Sequence, residues 1–290
     1  MHADAPHVAD PLLSLRDVTV ALREGARTMV SGVSFSVGRG EIFGIVGESG
    51  SGKTMLTRTL FGLHDDAVVA DGRVSFDGKD IPVAGYQRHM RRLLGRRIGL
   101  IAQDPYASLN PAMRVGMQIA EALYLGRGIP MRSARARQIA IELLRDVGIN
   151  EAERAVDQYP DQCSGGMRQR ASLCRALVHK PDVIILDEPF GALDEIVRDR
   201  LNEELLRLWA RTGKTIGFVT HSIPEAVYLS TRIVVMSPRP GRIADVVEVS
   251  APRPRSLDSM ATPEFVAATN RIREKIYGND STSATHRPTL

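Results

Sequence analysis

The spacing of apolar and polar positions divides the chain into segments of different period. Between residues 12 and 46 the runs LLSLRDVTVAL, VSFSV and EIFGIV are short, rich in β-branched residues and separated by glycine-bearing breaks, which predicts strands. TMLTRTLFGL then has helical spacing. GRVSFDGKDI reads as a strand and a turn, QRHMRRLLGRR as a short basic amphipathic helix, and IGLIAQD as a buried strand. From about residue 105 to 163 the period changes. ARARQIAIELLRDVGI is helical and strand signals are few, so a helical insert is expected there. PDVIILDEP and KTIGFVTHS are continuous apolar runs ending in polar residues, as suits a parallel sheet covered on both faces. EIVRDRLNEELLRLWART, between them, is an amphipathic helix. Residues 1–11 read as a loose polar tail. Beyond residue 250 come APRPRS, a short helix near EFVAATNRIREKIY and a polar Ser/Thr-rich tail of disorder-prone composition. The expected organisation is one α/β domain over 12–250, with a helical subdomain at about 105–163 inserted, and a partly disordered extension over 251–290.

Composition narrows the class. The 290 residues are 43% hydrophobic, 25% charged and 5% aromatic, ordinary for a globular protein with a core that needs no staples. A formal net charge of +4 is too weak to imply nucleic acid. Two cysteines, Cys163 and Cys174, argue against a disulfide scaffold and match no zinc spacing. The start, MHADAPHVADPLL, lacks the pattern of a secretory signal. No apolar run approaches the ~20 residues of a membrane helix. A cytosolic chain is expected, with any membrane role exercised through a partner.

Three stretches carry candidate chemistry. Gly47-Glu48-Ser49-Gly50-Ser51-Gly52-Lys53-Thr54 fits GxxxxGK[ST], follows an apolar strand and precedes a helical pattern. Its glycines let backbone N–H groups converge on phosphate oxygens, Lys53 suits the β- and γ-phosphates, and the Thr54 hydroxyl suits Mg²⁺. Val183-Ile184-Ile185-Leu186-Asp187-Glu188 ends a buried strand with adjacent carboxylates, which burial without a use would make costly. Alternation points them apart, yet at the carboxyl end of a strand both reach the crevice where ligands bind in open α/β sheets. Asp187 suits an outer contact to Mg²⁺, and Glu188 suits polarising a water. The third stretch, Gln162–Arg170 (QCSGGMRQR), reads as a helix start open to an anion.

In this order the residues resemble the nucleotide-binding subunit of ATP-binding-cassette (ABC) transporters. The marks are GESGSGKT (phosphate loop), Gln103 in IAQDPYASLNP (Q-loop), CSGGMRQR (signature), VIILDEP (Walker B), GALD (D-loop) and THS (His switch), over roughly residues 12–250. The resemblance implies a P-loop NTPase (RecA-like) α/β core with an antiparallel β subdomain and an inserted helical subdomain. It implies an ATPase using ATP and Mg²⁺. Glu188, His221 and Gln103 are its expected catalytic set, with His221 on the γ-phosphate and Gln103 touching Mg²⁺ and the water. It also implies a second nucleotide-binding subunit, identical or not, packed head to tail. Ser164, Gly165 and Gly166 of one subunit then close over ATP held by the other. Transmembrane permease subunits and a solute-binding protein complete the expected assembly, at the cytoplasmic face of the membrane, with no nucleic acid.

Three positions depart from the family pattern. Cys163 stands where Leu is usual, Gly191 where Ser is usual, and the adenine-stacking position near Leu22 lacks an aromatic. The cargo is open. QDPYASLNP and YPDQCSGGMRQR look like dipeptide, oligopeptide and nickel importers. PFGALD, HSIPEAVYLSTRIVVMSPRPGRI and PRPR look like nitrate, sulfonate and taurine importers. The rival reading is a non-transport ABC ATPase acting on nucleic acid or ribosomes, for which HMRRLLGRR would be the contact. A P-loop kinase, which has no need of CSGGMRQR, and an ATP sensor, which has no need of Glu188, are further alternatives.

Overall fold

A computed structural model describes residues 10–23, 27–63, 68–83, 86–101, 109–191 and 193–278. In chain order its elements are β1 (Pro11–Leu22), β2 (Thr28–Gly38), β3 (Ile42–Gly47), α1 (Lys53–Leu60), β4 (Val68–Phe76), β5 (Lys79–Pro82), α2 (Tyr86–Leu93), β6 (Ile98–Ile101), α3 (Val115–Arg127), α4 (Ala134–Asp146), α5 (Ala152–Ala155), α6 (Gly165–Leu177), β7 (Val183–Asp187), α7 (Glu195–Thr212), β8 (Thr215–Thr220), α8 (Ile223–Leu229), β9 (Arg232–Met236), β10 (Ile243–Glu248) and α9 (Pro263–Tyr277). They fall into two units. The first takes in 1–38, 43–86 and 220–290, the second 39–42 and 87–219.

In the first unit, period-2 patterning builds a four-stranded antiparallel sheet of order β2-β1-β4-β5. Leu12 to Leu15 of β1 are all buried, Arg16 and Asp17 are exposed, and burial resumes at Val18 and Val20. The register against β4 slips between Arg16 and Thr19, and Asp17 takes a φ of 51°. The strand thus carries a bulge at the exposed pair Arg16-Asp17. Gly72 lies against it with φ 105°, where an added Cβ would come within 2.7 Å of the Asp17 carbonyl oxygen and 2.8 Å of that of Arg16. Only a residue without Cβ allows this approach. The same unit pairs β3 with β9 in parallel, and β9 with β10 antiparallel. Phe35 and Phe43 stack at 4.8 Å, and the Arg232 guanidinium lies 5.4 Å from the Phe43 ring.

The second unit contains the parallel run β6-β7-β8. All five residues of β7, VIILD, are buried, as the apolar run predicts. Helix α6 packs on β6 and beside α7. Residues 109–163 contain helices and no strand, in line with a helical insert. Ser133 caps α4 by accepting the Ala136 N–H at 3.1 Å, and α3 ends at Gly128 in the left-handed conformation.

Three features go beyond the expectation from the pattern. PEFVAATNRIREKIY forms a helix of 15 residues whose buried face, including Phe265, Ala268, Ile272 and Ile276, has helical spacing. It packs on β9, β10 and α8 of the first unit. The five-residue run RIVVM is a fully buried strand, and IPEAVYL before it is a short helix.

Gly72→Ala is expected to lower stability by about 2–3 kcal/mol, through a positive φ and backbone contacts that cannot give way. Denaturant unfolding of the variant measures this, and an unchanged midpoint would contradict the bulge contact.

Candidate functional site

The loop from Gly47 to Thr54 joins a buried strand, β3, to α1, as its motif predicts. Gly50 and Gly52 adopt φ of 83° and 91°, a conformation that turns successive N–H groups inward. A Cβ at Gly52 would stand 2.7 Å from Val30 Cγ2, and one at Gly47 would stand 2.9 Å from the Met236 carbonyl oxygen. The loop therefore has room for backbone alone. Lys53 opens α1 and is 4% exposed. Its Nζ curls back into the loop, donating to the carbonyl oxygens of Gly47 at 2.8 Å and Glu48 at 2.9 Å. Ser51 Oγ is buried and, among the described residues, has no hydrogen-bond partner. Glu48 and Thr54 are half-buried, and Ser49 is exposed. A buried ammonium, an orphaned hydroxyl and the start of a helix fit a polyphosphate.

The sequence reading missed the residues that buttress this loop from outside. Arg239 Nε donates to the Gly50 carbonyl oxygen at 3.1 Å. Gly241 approaches so closely that a Cβ would stand 2.0 Å from the Ser51 carbonyl oxygen. Gly241 is tied to β2 in turn, donating its N–H to Met29 O at 2.8 Å and accepting from Ser31 N–H at 2.9 Å. The glycine of the SPRPG turn was the only signal, and a turn reads as a surface feature.

In the second unit β7 ends on the buried Asp187. Glu188 follows at φ 46°, and its N–H donates to the Val219 carbonyl oxygen at 2.8 Å. The left-handed residue breaks strand alternation at the point where the two carboxylates would otherwise diverge. Such a conformation costs a non-glycine residue about 1–3 kcal/mol and persists where the surroundings enforce it. Ser164, exposed, caps α6 by accepting the Met167 N–H at 3.2 Å, and Gly165 and Gly166 form the first turn. A Cβ at Gly166 would meet Val197 Cγ1 of α7 at 3.1 Å. Asp194 caps α7 by accepting Val197 N–H at 3.0 Å, so the starts of these two helices lie side by side.

His221 is exposed on the turn between β8 and α8, in the first unit. Gln103 lies outside the described residues. The structure thus gathers Gly47–Thr54 into one loop, ends β7 on Asp187 with Glu188 at the turn that follows, and starts α6 with Ser164–Gly166. Leu22, at the end of β1, is half-buried and aliphatic. Among the described residues, no group of three or more His, Cys, Asp and Glu side chains could hold a metal by itself. Among the same residues, no helix is long and apolar enough to cross a membrane.

Comparison with known proteins extends these observations. The family described as ABC transporter matches residues 30–191. The oligopeptide transport ATP-binding protein AmiE of Streptococcus pneumoniae is 35% identical over 228 residues, covering 78% of this chain and 64% of that protein. This chain therefore spans less than two thirds of AmiE's length. The taurine import ATP-binding protein TauB of Rhizobium johnstonii is 34% identical over 257 residues, covering 86% of this chain and 88% of that protein. A dimeric structure of the ATP-binding cassette MJ0796, in a post-hydrolysis state bound to ADP and Pi, matches with a TM-score of 0.68 and 26% identity, over 81% of this chain and 98% of that one. The fold is that of a P-loop NTPase cassette.

The departure at Cys163 has a chemical consequence. Its side chain is buried and donates weakly to the Tyr159 carbonyl oxygen at 3.5 Å. Burial raises its pKa above the usual thiol value, with Arg168 opposing and Asp161 adding to the rise. Cys174, fully buried, is pushed up further, mainly by the same desolvation. The thiolate is the reactive form, so both residues are expected to resist iodoacetamide at pH 7.5, with Cys163 labelling first as the pH is raised. Mass spectrometry of the timed reaction measures this, and rapid stoichiometric labelling of Cys163 at neutral pH would contradict it.

Proposed function

This chain belongs to the ABC transporter family, and on that premise we propose that it is the ATP-hydrolysing subunit of an importer. The observation that carries the reading is the buried Lys53 ammonium folded into the Gly47–Thr54 loop at the start of α1. On ATP binding, Lys53 exchanges the Gly47 and Glu48 carbonyls for β- and γ-phosphate oxygens, and the loop N–H groups take the rest. Ser51 Oγ, which has no hydrogen-bond partner among the described residues, can donate to a phosphate oxygen. Glu188, fixed by its strained backbone and its bond to Val219, orients the attacking water. Thr54, Asp187 and Gln103 hold magnesium, which when bound supplies charge neutralisation on the phosphates. His221 contacts the γ-phosphate. Leu22 offers the adenine an aliphatic surface in place of an aromatic one.

Ser164, Gly165 and Gly166 serve the γ-phosphate of ATP held by a second nucleotide-binding subunit, identical or not. An exposed helix start with a hydroxyl cap and two glycines is an anion site with no use inside its own subunit once the Gly47–Thr54 loop holds the nucleotide. ATP then joins the two subunits, and loss of its terminal phosphate releases them. Such a nucleotide-dependent shift between states would drive permease subunits in the membrane. In this reading the chain sits at the cytoplasmic face through those permeases, and a solute-binding protein delivers the cargo. The relatives' names, one for oligopeptide transport and one for taurine import, support a small organic solute over a nucleic-acid or ribosomal target.

Glu188→Gln is expected to cut turnover by at least about 100-fold, the usual scale for removing a catalytic proton acceptor. The same variant should form a dimer in Mg-ATP, measured by light scattering on a sizing column. Adding Ser164→Arg should return it to a monomer that still binds ATP. A Glu188→Gln chain that stays monomeric at saturating Mg-ATP would contradict the two-subunit reading. A dimer indifferent to Ser164→Arg would contradict the role of the signature.

A further inference from the structure

Helix α8 begins immediately after the His221 turn and is short, seven residues. A helix of that length has no stability of its own in water and keeps its place through tertiary packing and bonds. At its first turn the bonds are local. Thr220 Oγ1 donates to Glu225 Oε2 at 2.7 Å and accepts the Ser222 N–H at 3.0 Å. Ser222 Oγ accepts the Glu225 N–H at 3.4 Å. Both neighbours of His221 in the chain are thereby bonded into the start of α8, so the histidine moves with the helix.

At the other end the bonds come from far along the chain. Arg255 Nη1 donates to the carbonyl oxygens of Val227 at 2.9 Å, Tyr228 at 3.0 Å and Ser230 at 2.7 Å. Arg253 Nη2 donates to that of Leu229 at 2.7 Å. These are the carbonyls that the last turn of a helix leaves without intrahelical partners. The remaining donors of Arg255 bind the segment they come from, reaching Val249 O at 3.2 Å and Ala251 O at 3.1 Å. Tyr228, fully buried, donates its hydroxyl to the Arg255 carbonyl oxygen at 3.4 Å. Two cations at the negative end of a helix are favourably placed, and the planar guanidinium serves several carbonyls at once. Burial still opposes the arrangement. Arg255 is 7% exposed, and desolvation, with Arg253 beside it, lowers its pKa to about 10. A buried charge spent on backbone carbonyls is costly, and a fold that needed only an apolar plug would do better with leucine.

We infer that Arg253 and Arg255 are positioning residues for His221, clamping the far end of α8 so that the histidine is presented at a fixed place. The inference rests on the reading of His221 as a γ-phosphate contact. It makes the PRPR segment, beyond the motifs of the cassette, part of how the active site is held. Neither arginine touches substrate. Their effect passes through α8.

The test uses the full chain with ring-¹³C-labelled histidine, in wild type, Arg253→Ala, Arg255→Ala and Arg255→Lys, with His221→Gln to assign the His221 signal among the seven histidines. Lysine keeps the charge but not the fork, so Arg255→Lys carries the test where Arg255→Ala does not fold. The His221 resonance is expected to move or broaden in the arginine variants while other histidine signals stay. Turnover should fall about tenfold with ATP affinity changed less than about twofold, a loss confined to kcat. In a His221→Ala background the same arginine substitutions should cost less than about twofold more, as coupled residues do. An unmoved His221 resonance, or losses that simply add to that of His221→Ala, would overturn the clamp. If His221→Ala itself turned over normally, the catalytic reading of His221 would fail, and the resonance would still decide whether the clamp holds the residue.

Discussion

A cation drawn out of water into a loop of backbone is the constraint on which the rest depends. The Lys53 ammonium is buried and donates to two carbonyls of its own loop. Desolvating such a charge costs several kcal/mol, and neutral carbonyls offset this less well than an anion does. To hold the lysine there, the loop must close tightly. Closing tightly requires positive φ at Gly50 and Gly52, and it leaves no space for side chains at Gly47 or Gly52. The Arg239–Gly241 turn presses on the outside of the same loop. Sequence, local geometry and charge thus converge on one binding chemistry, the phosphate chain of a nucleotide.

The second unit uses the same two devices, a positive φ and a close approach of backbone. Glu188 takes a positive φ without being glycine, so the strand that delivers Asp187 turns abruptly at the second acidic residue. Helix α6 starts with an exposed serine cap and two glycines, one of which Val197 approaches closely. Strain and close packing are retained in each case at the positions where the proposed chemistry occurs.

Much of this was legible in the residues. The phosphate loop, the strand ending in Asp187 and the helical insert each have a period or spacing that local physics imposes, and the structure reproduces them. The bulge at Asp17 was not legible, because it appears only as a slip of register that is visible once the partner strand is known. RIVVM was missed because a five-residue apolar run is ambiguous between strand and helix. The helix 263–277 is longer than its sequence implied, since its buried face is defined by β9, β10 and α8. Nothing in APRPRS marks Arg255 as buried and Arg253 as half-buried, since arginines are mostly exposed. Their burial depends on carbonyls more than twenty residues earlier in the chain, at the end of α8, and nothing local announces that.

The central claim, that the Gly47–Thr54 loop exists to place Lys53 against phosphate, is tested most directly by calorimetric titration of Mg-ATP into the wild-type chain and Lys53→Ala. Hydrogen bonds to a charged group are worth about 1.5–3 kcal/mol, so the account predicts affinity weakened on the order of 10- to 100-fold in a variant that still folds. Equal affinity in the two proteins would contradict it.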